Sequence, residues 1–222
     1  MKNTQLEYQK VVNYIIEMVT SGNLIVGSKL PSERELSEKL LLGRNATREA
    51  ISILRGLGLV ESRHGSGNYI SNDCGKSIKA IVSAMLALGS ITKYDVIEYR
   101  RGISFAVCSL LIEKGISDKD AENINRIMDS MDIADKRQFV NLDKEFHLGL
   151  IYATKNPLFE TVMAPIGEIY LELVNDVIME TDDNQLKELA LMHRDIFESI
   201  KSRNKEACKI AMTRHYDFAE KM

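Results

Sequence analysis

After Cys74 the sequence has no run in which apolar and polar residues alternate, and that absence restricts everything downstream to helices. Seven segments, roughly 76–89, 93–114, 118–134, 137–153, 157–180, 184–201 and 204–221, instead repeat their apolar residues at helical spacing. Start and stop signals separate them. Thr92 with Asp95 and Ser117 with Asp120 offer capping side chains, Asn156 precedes a first-turn Pro157, and Gly115 permits a helix to end. Pro165, close to Gly167, lies inside the 157–180 segment, where it removes a backbone hydrogen bond and crowds the preceding turn, so a kink or break is expected there.

The front of the chain reads differently. Leu6, Val11, Ile15, Met18 and Val19 mark a first helix that ends at Ser21-Gly22-Asn23. Pro31 precludes continuation from upstream, and Ser32 with Glu35 forms a capping box that opens a second helix. A third runs from Asn45 to Leu57, with Ala50, Ile51, Leu54 and Leu57 on its apolar side and Gly58 placed to stop it. "LVESR" and "NYIS" then alternate as strands, joined through Gly65 and Gly67 as a hairpin. Three helices and a hairpin make a winged helix-turn-helix, whose third helix enters the major groove. The fold class is therefore mainly α: an N-terminal winged helix-turn-helix domain over 1–72, a linker at 73–77, and a C-terminal all-helical bundle of six to seven helices over 78–222.

Charge follows the same division. Residues 1–72 carry nine Lys/Arg against seven Asp/Glu, while the whole chain has a net charge of −3, so a mildly basic front sits on an acidic body. Arg44 and Arg48 are four apart on one helix face, where guanidinium forks reach guanine edges or phosphates, and Arg34 is placed for the backbone. His64 and Gly65 at the hairpin tip suit a narrow groove. Taken singly, each has a plainer reading as a solvated face or a turn requirement; in this order they favour DNA. The three cysteines, Cys74, Cys108 and Cys208, form no CxxC pair and read as small apolar fillers. No apolar run reaches the length of a membrane span and no secretion signal opens the chain, which places it in the cytoplasm.

Three of the four histidines lie in the helical part. Asp143 and His147, four apart, stack on one helix face, and His193 and His215 belong to the last two helices. If those faces turn inward, one carboxylate and three imidazoles converge as ligands for Zn, Ni, Mn or Fe(II). The alternative is that each histidine is a buried core residue bonded to a neighbour.

Two stretches resemble known families. "VGSKLPSERELSEKL", "GRNATREAI" and "GLVESRHGSGNYIS" resemble the N-terminal domain of GntR-family bacterial transcription regulators over about residues 8–71. The resemblance implies DNA contacts from Arg34, Arg44, Arg48, His64 and Gly65. Leu41 replaces the family's usual turn glycine, Gly43 a serine and Ala46 a threonine. Residues 76–219 resemble the C-terminal ligand-binding (FCD) domain of the FadR subfamily, through Glu98-Tyr99-Arg100, Asp143 to His147, Ala153 to Asn156, His193 and His215. That resemblance implies a divalent metal, Zn or Ni ahead of Mn or Fe, on Asp143, His147, His193 and His215. It also implies an effector carboxylate gripped by Arg100. Ser104 stands where a glutamate is common, and the full metal set favours a small sugar acid or hydroxy acid over a lipid thioester.

The expectation is a cytoplasmic homodimer that binds a palindromic operator in double-stranded DNA and answers to a small carboxylate. A metal-stapled DNA-binding protein without sensing is the alternative. A hydrolase is disfavoured because Glu145 points away from Asp143 and His147 and no HExxH, phosphate loop or Ser/His/Asp order is present, although Glu168 or Glu172 on another helix remains a possible base.

Overall fold

The computed structural model describes residues 6–221, which form two compact units, one up to Ile78 and one from Lys79. In the first, α1 (Glu7–Thr20), α2 (Glu33–Leu40) and α3 (Arg44–Gly56) precede β1 (Val60–Arg63) and β2 (Gly67–Ile70). The strands pair antiparallel, with Val60 opposite Ile70 and Arg63 opposite Gly67. The predicted capping box opens α2: the Ser32 amide donates to Glu35 Oε2 at 2.7 Å and the Glu35 amide to Ser32 Oγ at 3.2 Å. Val11, Ile15, Leu36, Ala50, Ile51, Leu54, Val60 and Ile70 close the core. Leu57, placed on the apolar side by periodicity, is exposed, because α3 ends one residue before it.

The hairpin has a further member that alternation does not reveal. The Gly27 amide donates to the Ile70 carbonyl, the Ile70 amide to Ser28 and the Leu30 amide to Asn68, all at 2.8–2.9 Å. A segment this short carries too few residues to show a period of two. Leu41, where the family has a glycine, adopts φ +54° at the C-cap of α2, a conformation that costs a side chain about 1–2 kcal/mol. Gly58 has φ +76°, and a Cβ there would fall on the carbonyl of Asp73. Gly58→Ala is expected to lower the stability of this unit by at least about 2 kcal/mol, read by chemical denaturation.

The other unit contains α5 (Lys93–Lys114), α6 (Asp118–Met131), α7 (Lys136–Ala153), α8 (Pro157–Glu180), α9 (Asp183–Lys201) and α10 (Lys205–Lys221), preceded by α4 (Gly75–Ala87), which begins before the division between units. Caps define several ends: the Thr92 amide donates to Asp95 Oδ2, the Asp120 amide to Ser117 Oγ, and Gly115 ends α5 with φ +86°. Asp135 with Gln138 and Asp182 with Gln185 add boxes for α7 and α9. α8 is one helix with Pro165 inside it, so of the kink or break expected there the break is absent. The cost of proline inside a helix, about 3 kcal/mol, is offset by burial of Met163, Ile166, Ile169, Tyr170 and Ile178 along α8. Cys108 and Cys208 are buried in this core, whereas Cys74 is only half-buried.

Candidate metal centre and nucleic-acid interface

α7 carries Asp143 and His147 one turn apart; α9 brings His193 and α10 brings His215. All four are buried, and a carboxylate oxygen and three imidazole nitrogens lie within 4.8 Å of one another. His215 Nε2 is 3.2 Å from His147 Nε2, and His193 Nε2 is 3.1 Å from Asp143 Oδ1 but lacks the alignment of a hydrogen bond. Packing holds the rings: Phe146 lies 4.6 Å from His193 and 5.3 Å from His147 between centroids. Burial drives the pKa of His147 and His215 well below the ordinary imidazole value, with the Arg100 charge adding to it for both. Burial alone would raise Asp143, but His147, His193 and Arg100 outweigh it and hold the carboxyl well below its usual range.

This set suits a divalent cation. His147 and His215, held neutral, present lone pairs and the Asp143 carboxylate is ionised, as ligands must be. Two Nε2 atoms 3.2 Å apart share at most one proton, and both nitrogens of His193 and Nδ1 of His215 lack hydrogen-bond partners despite burial. Satisfied core histidines, the rival reading, would not leave these atoms orphaned.

Arg100, on α5, lies beside the cluster and is 4% exposed. Its guanidinium stacks 3.6 Å above the Tyr170 ring, Nη2 lies 3.5 Å from Asp143 Oδ2, and Nη1 has no partner. With Ser104, Lys144 and His147 it borders a cavity of about 20 Å³. Ser104 shares a 2.8 Å hydrogen bond with the Tyr216 hydroxyl, so an uncharged pair occupies the place where the family's glutamate would stand. Glu145 is exposed. Glu168 and Glu172 both accept from Lys79 Nζ, at 3.0 and 2.9 Å.

In the N-terminal unit α3 buries Ala46, Thr47, Ala50, Ile51 and Leu54, which leaves Arg44 and Arg48 exposed on the opposite side. Arg48 Nε is 3.4 Å from Glu33 Oε2, and Arg34 Nε is 3.8 Å from Glu38 Oε1. Both are solvent-exposed pairs, cheap to exchange for phosphate. Gly43, the N-cap of α3, offers no side-chain acceptor. His64 and Gly65 occupy the exposed turn of the hairpin, Gly65 with φ +67°.

Residues 7–70 match the bacterial regulatory proteins of the gntR family, and residues 95–218, more than half of the chain, match the FCD domain. The chain belongs to the GntR family, with an FCD domain. This GntR-family protein is a DNA-binding transcription regulator. It is 29% identical over 203 residues to the HTH-type transcriptional regulator LutR of Bacillus subtilis, covering 89% of this chain and 92% of LutR. The Glc operon transcriptional activator of Escherichia coli is 25% identical over 216 residues, covering 91% of this chain and 84% of that protein. The solved structure of Streptococcus agalactiae GntR has a TM-score of 0.75 at 24% identity, covering 96% of this chain and 99% of that one, a likeness of fold. These relatives are named as regulators. No helix among the described residues is long and apolar enough to cross a membrane.

Sequence reasoning missed Tyr170, Tyr216 and Lys144. Tyr216 had a signal, since it follows His215 directly. Lys144 likewise sits between Asp143 and His147. Tyr170 had none: its place beneath Arg100 depends on how α8 packs against α5.

Proposed function

We propose that this GntR-family regulator binds a divalent metal, Zn or Ni ahead of Mn or Fe, on Asp143, His147, His193 and His215, and a small carboxylate on Arg100. Occupancy of that site sets the affinity of a cytoplasmic homodimer for a palindromic operator. The ion would supply positive charge and exchangeable positions for a carboxylate oxygen. The observation that carries the reading is the cluster of orphaned nitrogens in a buried set of histidines beside Arg100 Nη1, itself unpartnered. In this reading residues 1–72 read DNA through Arg34, Arg44, Arg48, His64 and Gly65, residues 73–77 link, and 78–222 sense.

A two-fold axis relating two copies of α3 would match operator symmetry to protein symmetry. Coupling of about 1–3 kcal/mol between acid and DNA is enough for regulation. Hydrolysis fits less well, because Glu145 is exposed and Glu168 and Glu172 pair with Lys79. The test is operator affinity of the metal-loaded protein with and without a panel of organic acids. One acid is expected to change affinity about 5-fold to 150-fold. If none does, the sensing reading fails and the domain is a metal-stapled support for DNA binding.

A further inference from the structure

The hairpin of β1 and β2 has two faces. Val60 and Ile70 turn into the core, so Glu61, Arg63, Gly67 and Tyr69 share the other face, with Glu61 opposite Tyr69 and Arg63 opposite Gly67. Lys29 joins them by pairing with Tyr69 on the edge of β2 that β1 leaves free. From there its side chain runs over Gly67: a Cβ on Gly67 would fall 3.1 Å from Lys29 Cε and 3.8 Å from Nζ. Gly67, with φ +118°, therefore meets two demands, the backbone conformation and the passage of the lysine. The ammonium ends beside the turn that carries His64 and Gly65.

The two cations of this face differ. Arg63 is engaged: its Nη2 and Nε lie 2.6 and 2.8 Å from Glu61 Oε1, and its guanidinium stacks 4.1 Å from the Tyr69 ring. Lys29 is exposed and takes no part in the ion pairs described in this unit, Arg34–Glu38, Arg48–Glu33, Arg63–Glu61 and Lys76–Asp73. Its charge registers at the start of α2, where Glu35 is held below the usual carboxylate range by its hydrogen bonds with Ser32 first, and by the charges of Arg34 and Lys29 after them. Lys29 thus stands between the hairpin turn and Arg34. A lone exposed lysine is a solvated charge; one set between two elements that carry expected DNA contacts is placed for a backbone phosphate.

We propose that Lys29 is a phosphate-binding residue of the wing: lying over Gly67, it pairs with one backbone phosphate of double-stranded DNA per protomer, between the hairpin turn and the start of α2. This rests on the reading that the turn and α2 face DNA.

The test measures binding of full-length wild type, Lys29→Gln, Lys29→Arg, Lys10→Gln and Arg34→Ala to a mixed-sequence duplex of about 30 base pairs, by fluorescence anisotropy at KCl from about 20 to 150 mM. Lys29→Gln is expected to lower the slope of log K against log salt by about 0.9 per contact, or about 1.8 for two protomers, which at 0.1 M salt is about 8-fold in affinity per contact. Lys29→Arg keeps the slope because it keeps the charge. Lys10, exposed on α1, reports the effect of removing one positive charge elsewhere, and Lys10→Gln should leave the slope as in the wild type. An unchanged slope for Lys29→Gln beside a lowered one for Arg34→Ala overturns the assignment and leaves the DNA-facing reading standing. Equal losses for Lys29→Gln and Lys10→Gln overturn it too, since net charge alone then accounts for them. If neither Lys29→Gln nor Arg34→Ala lowers the slope, the reading of the DNA face fails and this proposal with it.

Discussion

His147→Ala combined with His193→Ala should abolish metal binding, against close to one Zn or Ni per wild-type chain purified without chelators. The variant keeps only Asp143 and His215, too few ligands to enclose an ion that takes four. Because metal held by the folded state adds its binding energy to stability, saturation at about 1,000 times Kd contributes ~4.1 kcal/mol. For a chain of this size that corresponds to roughly 8–16 °C in Tm, to be lost on chelation of the wild type and not of the variant. The metal-free protein carries a further signature. Its folded state holds His147 and His215 neutral, with pKa values well below the ordinary imidazole value because of burial, whereas unfolding lets both take up protons. Proton uptake on unfolding means that stability falls as pH drops below about 6.5 and is flat above it. Absence of metal from the wild type, even after Zn or Ni is added, would return the histidines to the core and remove the sensing half of the function.

Elements with local chemistry were legible in the sequence. The Ser32–Glu35 and Thr92–Asp95 boxes are satisfied by side chains three residues apart, so the residues that specify them are those that form them. The Asp143–His147 pair was legible for the same reason: one helical turn stacks it. Convergence with His193 and His215 depends on how α9 and α10 pack against α7, and no periodicity in any one helix encodes that. The same holds for Tyr170 beneath Arg100. Pro165 shows the converse case. Local reasoning priced the lost hydrogen bond correctly, but buried side chains along α8 keep the helix continuous, and tertiary packing prevails over propensity.

Arg48→Ala is expected to abolish specific operator binding while the fold and metal content stay as in the wild type. The side chain is exposed on α3, opposite Ala50, Ile51 and Leu54, so its removal opens no cavity. Its pair with Glu33, at 3.4 Å and largely in solvent, contributes at most about 1 kcal/mol to stability. A bidentate contact to a base is worth about 1–3 kcal/mol, and the proposed dimer makes it in two half-sites, so the loss should reach roughly 30-fold to 10⁴-fold. Arg34→Ala serves as the contrast. If Arg34 touches phosphate, its removal weakens binding to all sequences alike and lowers the salt dependence by about one unit per contact. A footprint retained by Arg48→Ala would mean that α3 does not read the bases. The wing residues His64 and Gly65 would then have to carry specificity, and in that case His64→Ala should show the loss assigned here to Arg48.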